Sequence, residues 1–330
     1  MNQAQEITDR VTTMLKSAGF SGSVTLCAPL APFTSYGIGG PASLLAEIPS
    51  VDNLVIFKRV THELSFPILI LGAGTNILFS DEGFQGAVAR LTGDFNEMVT
   101  EGETIRSGAA VPVARIVREG ARIGLESIAR LAGIPGWVGG AVVMNAGTFG
   151  EYMDGLLKDV DVLTVDNTVA TLTPDQCAFG YRTSRFLGSG EVVLGCRITG
   201  PAGITDLVAA VVRNRLERRR ETQPVDLPSC GCVFKNPSGE QPAAKLIDQV
   251  GLKGTKRGGA SISSKHANYI VNEGGAKAID VIELMALARQ RVREKFNIVL
   301  MPEVRTYGFP VSLEVMLDAS RGFSGSSADA

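Results

Sequence analysis

Histidine is almost missing from this chain of 330 residues, which has only His62 and His266. With so few imidazoles, and no second Cys or His pair at ligand spacing beside Cys230 and Cys232, no zinc or other metal site is expected. Cysteine is also sparse, with five residues at 27, 177, 196, 230 and 232. An odd, scattered set does not form a disulfide framework, and it fits reduced thiols in a cytoplasm. Basic charge is not in excess. The formal net charge of -2 argues against a general nucleic-acid binder, but it leaves room for a local basic pocket that takes an anionic substrate. No long hydrophobic run occurs either. The most apolar stretch, Leu64 to Leu71, contains Pro67 and is followed by Gly72 and Gly74. A bilayer span needs ~20 apolar residues, so no membrane insertion is expected. The opening Met1-Asn-Gln-Ala-Gln-Glu6 lacks the basic and apolar regions of a signal peptide. The motifs G-x-S-x-G, H-E-x-x-H and the Walker loop are absent, which removes several hydrolase and nucleotidase classes.

The hydrophobic fraction of 45% and charged fraction of 20% are those of a globular protein. A chain of this length predicts two or three lobes. Ile7, Val11, Met14 and Leu15 recur at helical spacing, so residues 4–17 read as an amphipathic helix stopped by Gly19. A strand and then a helix are expected over 43–58, and a buried strand over Phe66 to Leu71. Short β-rich pieces follow through 86–112, then a helix from Val113 to Ile123. Residues 131–150 read mostly as loop. Strands are expected over 158–173 and 190–199, then a helix from Ile204 to Arg220 with Leu207, Val211 and Leu216 on one side. Pro201-Ala-Gly203 breaks the chain before that helix, which suggests a domain boundary near 203. Asp280-Val-Ile-Glu283 resembles a capping box opening a helix to about Phe296. A strand from Ile298 to Tyr307 follows, and residues 310–330 read as a flexible tail.

Glycine is abundant, at 38 residues, and two clusters stand out. Gly72-Ala73-Gly74-Thr75-Asn76 follows a strand, where successive backbone N–H groups could converge on a phosphate. Ile77 replaces the third glycine of G-x-G-x-x-G, so the dinucleotide fingerprint is incomplete and an ordinary turn is an equal reading. Gly133-Ile-Pro-Gly136-Trp-Val-Gly139-Gly140, with Met144-Asn-Ala-Gly147, has more glycine than a tight turn needs. Close approach of backbone to a flat or phosphorylated ligand explains it, and a structural hinge is the alternative. In Tyr181-Arg182 a permanently charged guanidinium suits a ligand carboxylate or phosphate, although a surface ion pair is the commoner explanation. Cys230-Gly-Cys232-Val-Phe-Lys-Asn236-Pro carries the most reactive groups, and buried structural thiols are the default for such a pair. Glu303-Val-Arg305 reads as a strand with both charges on one face, by default an exposed ion pair.

Taken in order, these segments resemble one family, UDP-N-acetylenolpyruvoylglucosamine reductase. The resemblance runs from about Thr34 to Gly308 through Thr34-Ser-Tyr-Gly-Ile-Gly39, Leu71-Gly-Ala-Gly-Thr-Asn-Ile-Leu78 and Gly133-Ile-Pro-Gly-Trp-Val-Gly-Gly140. It continues through Tyr181-Arg182, Pro228-Ser-Cys-Gly-Cys-Val-Phe-Lys-Asn-Pro237, Ala244-Lys-Leu-Ile247, Gly258-Gly-Ala260, Ser264-Lys-His-Ala267 and Pro302-Glu-Val-Arg305. It implies an α+β protein with an FAD-binding fold of the vanillyl-alcohol oxidase (PCMH) type and a C-terminal α+β substrate domain. Residues 1–202 would form the FAD region, with two lobes divided near 87, and 203–309 would bind substrate. The short stretch from Tyr181 to Arg197 resembles the subgroup that lacks a substrate-capping loop.

The resemblance implies non-covalent FAD, with NADPH as co-substrate. Hydride would pass through FAD to the terminal vinyl carbon of UDP-N-acetylglucosamine enolpyruvate, and a proton to the adjacent carbon. The product would be UDP-N-acetylmuramate, a peptidoglycan precursor, which ties the protein to cell shape and division. Cofactor contacts would come from Gly72, Ala73, Gly74, Thr75, Asn76, Ile77 and Leu78. Ile134, Pro135, Gly136, Val138, Gly139, Gly140, Asn145 and Gly147 would supply the rest. Arg182, Cys232 and Glu303 match the catalytic positions, and Tyr181, Arg182, Asn236, Lys265 and Arg305 the substrate contacts. Cys232 stands where the family usually has a serine proton donor, and its thiol, with a reference pKa of about 8.5, is the stronger acid. Trp137 departs from the small residue typical there. A cytoplasmic monomer is expected. Two other readings stay open on the residues alone: a flavoenzyme of the same fold oxidising a small alcohol or 2-hydroxy acid, and an inactive nucleotide-sugar binding protein. Flavin colour separates the last from the others.

Overall fold

The computed structural model describes residues 3–148, 150–239 and 241–319. The chain forms two compact units, each assembled from separate stretches of sequence. The first comprises residues up to 28, 42–73 and 85–221; the second comprises 29–41, 74–84 and 222 onward.

The first unit has two cores. One is built on a four-stranded sheet in the order Ser23–Pro29, Pro41–Ile48, Phe84–Leu91, Ile68–Ile70. Its outer strand runs parallel to its neighbour, pairing Ile68 with Ala87 and Ile70 with Ala89. Helix Gln3–Ser17 presents Val11 and Leu15 to this core, and helix Val51–Glu63 presents Leu54, Phe57 and Val60. The second core lies against a five-stranded antiparallel sheet, ordered Val169–Leu172, Leu157–Leu163, Val192–Ile198, Thr104–Gly108, Met98–Glu101. Helix Val113–Arg122 contributes Val113, Ile116 and Val117 to it.

The second unit draws Tyr36, Ile38 and Leu78 into one core with Val233, Phe234, Ile247, Val281 and Met285. Its sheet orders Lys256–Arg257, Ala260–Ile262 and Ile270–Asn272, and helix Ala278–Phe296 is its longest element. Strand Arg305–Tyr307 runs parallel to Ile77–Phe79, pairing Arg305 with Ile77. Among the described residues, no helix is long and apolar enough to cross a membrane.

Several elements differ from the sequence expectation. The loop read over 131–150 contains a short helix, Val138–Val143, where Gly139 and Gly140 are tolerated because the helix packs on the sheet end. Helix Thr205–Thr222 turns Val208 and Val212 inward with Leu216 half-buried against the same core, while Leu207 and Val211 are exposed, so of the expected side only Leu216 packs inward. This helix belongs to the first unit. Helix Ala278–Phe296 begins earlier than expected. Asp280 lies inside its first turn and its carboxylate accepts from the Lys277 N–H at 2.8 Å. Regular strand is confined to Arg305–Tyr307, because the preceding residues pair with other segments, as at the Phe234–Pro302 bridge. Residues 313–319, expected in a tail, form a helix that buries Leu313 and Leu317. The rest of the expected tail, 320–330, lies outside the described residues.

Candidate functional site

Gly72 and Ala73 belong to the first unit, as does the whole segment 133–147, whereas Gly74, Thr75, Asn76, Ile77 and Leu78 belong to the second. The longer segment is pinned to the sheet end: Val138 N–H donates to Val111 O, Gly139 N–H to Ala109 O, and Val113 N–H to Gly136 O. Three of its glycines have packing reasons. A Cβ on Gly139 would press on Ala109, one on Gly147 would strike the Glu151 carbonyl, and Gly136 sits at φ 117°. Gly74 has one as well, with φ 64° and the Phe33 carbonyl in the space a Cβ needs. Gly72 and Gly140 are different. A Cβ at either would meet nothing within 4 Å, so packing does not demand glycine there. Bare backbone at these two places, with Pro135 exposed beside the second, suits the close approach of a flat or phosphorylated group. Trp137 stands at the N-cap of helix Val138–Val143, with the Arg90 guanidinium over its ring at 5.0 Å from the centroid.

Tyr181 and Arg182 form the corners of a tight turn in which Gly180 and Thr183 exchange N–H···O bonds of 3.1 and 3.3 Å. Arg182 takes φ 54°, a left-handed conformation that costs a non-glycine residue roughly 1–2 kcal/mol. Its guanidinium lies 5.6 Å from the Tyr181 ring centroid, and that ring packs edge-on to Tyr152. Asn145 is buried nearby. Its side chain is engaged within the protein by Asp154 and by the Gly180 carbonyl, so its amide is committed to the fold.

In the second unit, main-chain bonds bring Cys232, Glu303, Arg305 and Asn76 together. Cys232 bridges to Tyr269, and the next residue, Val233, accepts the Glu303 N–H at 2.8 Å. Asn76 Nδ2 donates to the Glu303 carbonyl at 3.2 Å, and Asn76 O accepts from Arg305 N–H at 3.0 Å. Asn76 thus ties the end of the first glycine motif to the Glu303 segment. Cys230 is buried behind Cys232. Burial pushes its thiol up to about 12, and the neighbouring Cys232 and Glu303 add to this, while the nearby Tyr36 hydroxyl opposes it. Cys230 is thus held as a neutral thiol.

The Lys265 loop is tied to the same segment through Asn268 and Phe234. Ser263 Oγ accepts from the N–H groups of Lys265 and His266, at 3.1 and 3.3 Å. Asn268, only 2% exposed, accepts from Phe234 N–H and donates to Phe234 O, at 3.0 and 2.8 Å. Leaving those two buried groups unsatisfied would cost about 1–3 kcal/mol each. Asn236 Oδ1 accepts from Ala243 N–H at 3.1 Å, at the start of helix Ala243–Gln249. Ser263, Asn268 and Tyr36 were missed in the sequence. A polar residue in a polar-looking loop carries no sign of burial.

His266 packs against the Tyr269 ring at 4.8 Å, and its buried Nδ1 has no partner. Burial lowers its pKa from 6.5. The unfolded chain therefore binds a proton more readily than the folded one, so stability is full above 6.5 and falls as pH drops through it. Denaturant titrations of His266→Asn should show a shallower loss of stability than wild type between about pH 6.5 and 5. Parallel curves would show that His266 is not a source of the slope.

Among the described residues, no group of three or more His, Cys, Asp or Glu is placed to hold a metal ion. Residues 42–173 match the FAD binding domain family, which puts the chain in the class of FAD-binding oxidoreductases. Residues 223–307 match the family described as UDP-N-acetylenolpyruvoylglucosamine reductase, C-terminal domain. UDP-N-acetylenolpyruvoylglucosamine reductase 2 of Symbiobacterium thermophilum is 40% identical over 87% of this chain and 93% of its own. The reductase of Anaeromyxobacter sp. (strain Fw109-5) is 41% identical over 87% and 89%. The crystal structure of UDP-N-acetylenolpyruvylglucosamine reductase from Thermus caldophilus superposes with a TM-score of 0.73 at 36% identity, covering 87% of this chain and 98% of that one. The chain belongs to the UDP-N-acetylenolpyruvoylglucosamine reductase family.

Proposed function

We propose that the protein uses NADPH to reduce UDP-N-acetylglucosamine enolpyruvate to UDP-N-acetylmuramate, a step of peptidoglycan precursor synthesis that serves cell shape and division. The observation that carries this reading is the pairing, in one chain, of an FAD binding domain match at 42–173 with the family's C-terminal domain at 223–307. Bound FAD supplies the hydride, taken from NADPH. We assign its binding to the backbone around Gly72 and to the segment from Ile134 to Gly147, where Gly72 and Gly140 leave main chain uncovered. Arg182 binds the carboxylate next to the reacting double bond and stabilises the charge that develops there. The Cys232 thiol gives its proton to the carbon bearing that carboxylate, and Glu303 completes the catalytic set. Tyr181, Asn236, Lys265 and Arg305 contact the sugar nucleotide. The five cysteines are reduced thiols, which supports a cytoplasmic location. The working unit is a monomer.

The visible spectrum tests the proposal. Pure protein should be yellow, NADPH should bleach it without oxygen, and the enolpyruvyl sugar nucleotide should restore the colour with UDP-N-acetylmuramate as product. Acid precipitation should release FAD into the supernatant, since the assigned segments contain no histidine for covalent attachment. A colourless protein that takes up no FAD would overturn the reading. So would a flavin that small alcohols bleach and the enolpyruvyl compound does not reoxidise.

A further inference from the structure

We infer that Ser184 and Asn145 are positioning residues, which hold the Tyr181-Arg182 turn from both ends and thereby set where the Arg182 guanidinium can go. The inference rests on the proposed role of Arg182.

The turn is strained and yet tightly held. Arg182 is left-handed at φ 54°, and so is Asn145 at φ 42°. Such conformations persist in non-glycine residues only where the surroundings over-determine them. Two side chains do so here, and both connect to the C-terminal end of helix Val138–Val143. On the entry side, Asn145 Nδ2 donates to the Gly180 carbonyl at 3.2 Å. The same nitrogen donates to Asp154 Oδ2 at 3.2 Å, while Asn145 Oδ1 accepts from Asp154 N–H at 3.0 Å. The Asp154 N–H fixes which way the amide faces, because only the carboxamide oxygen can accept it. The NH2 group is thereby left for Gly180. Asn145 is 1% exposed, so water does not compete for these bonds. On the exit side, Ser184 Oγ donates to Val143 O at 2.7 Å and accepts from Phe186 N–H at 3.3 Å. Ser184 is buried too.

The consequence is geometric. Gly180 and Thr183 are already paired, so the four-residue turn is clamped across its mouth and at each end. The glycine-rich segment and the arginine turn then move as one body, since the helix end that anchors the turn is part of that segment. Arg182 has little backbone freedom of its own. An arginine that must meet a developing charge benefits from this, because preorganised groups need no rearrangement at the moment of reaction. The physical reason Asn145 occurs within the glycine segment is thus its amide, which serves the turn.

Four holoenzymes test this: wild type, Ser184→Ala, Arg182→Ala and the double variant, with Asn145→Gly as an independent probe, because glycine accepts its φ without strain. The rate at which the enolpyruvyl sugar nucleotide reoxidises the reduced flavin is followed by stopped flow. A misplaced catalytic group costs up to about 100-fold, so Ser184→Ala and Asn145→Gly should each slow this step by ~10- to 100-fold. Ser184→Thr, which keeps the hydroxyl, should recover most of the rate. In the Arg182→Ala background the Ser184 change should add no more than about twofold. FAD affinity of Ser184→Ala apoprotein, read by fluorescence quenching, should match wild type. Full additivity in the double variant would overturn the inference, as would an unchanged reoxidation rate in both Ser184→Ala and Asn145→Gly. If Arg182→Ala alone reoxidises at the wild-type rate, the assignment of Arg182 is what fails, and the inference falls with it.

Discussion

Cys232→Ala should slow net turnover by roughly 100- to 10,000-fold while NADPH still bleaches the flavin at nearly the wild-type rate. In the proposed mechanism the thiol enters only when the carbon next to the carboxylate takes a proton, so the first half-reaction does not need it. With protonation blocked, hydride addition to the vinyl carbon becomes reversible, and label carried by the reductant should wash into recovered substrate. Cys232→Ser should keep substantial activity, since serine is the residue found here in most of the resembled family. The structure supplies the control. Cys230 lies two residues away but is buried, with its thiol pushed up to about 12. Cys230→Ser, which changes the side chain by one atom only, should therefore stay active. Alkylation separates the two thiols again. Iodoacetamide needs a thiolate, so buried Cys230 should resist it. Cys232 is only partly covered, and reaction there should inactivate wild type but spare Cys232→Ser. Wild-type turnover in Cys232→Ala would mean that another group or a water delivers the proton.

Arg182→Ala should slow reoxidation of the flavin by the enolpyruvyl substrate by about 100-fold, the loss typical of one group aimed at developing charge. Reduction by NADPH should change far less. Arg182→Lys should recover only part of the loss, because an ammonium lacks the planar fork that pairs with a carboxylate. The structure adds a second reason. Arg182 stacks its guanidinium on Tyr181 while its backbone is left-handed, so the direction of the side chain is set locally. Equal losses in the two half-reactions would count against its assignment to the second.

Much of this was legible in the sequence. Helix Gln3–Ser17, helix Val113–Arg122 and the strands of the antiparallel sheet follow from apolar periodicity, which depends on neighbours within two turns or one strand. The order of the short motifs identified the family, because a motif records which chemistry must sit at which place in the chain. The errors fall where distant partners decide. Helix Thr205–Thr222 has apolar residues on more than one side, so its periodicity could not say that Val208 and Val212, rather than Leu207 and Val211, are buried. Strand Arg305–Tyr307 is short because Glu303 is bonded to Val233, a partner 70 residues earlier by numbering.

The glycines show the division most clearly. Their clustering alone suggested bare backbone beside a ligand. The structure separates Gly72 and Gly140, where a side chain would point into open space, from Gly74, Gly139 and Gly147, where it would strike the protein itself. Asn145 divides in the same way: its presence in the motif is a matter of sequence, but its hydrogen bonds to Asp154 and Gly180 exist only after folding. Sequence by itself determined the chemical inventory and its order, since residue type sets which atoms can hold a charge or give a proton. Tertiary structure decided which of those atoms are already committed to the fold, because burial and hydrogen-bond partners are properties of residues far apart in the chain.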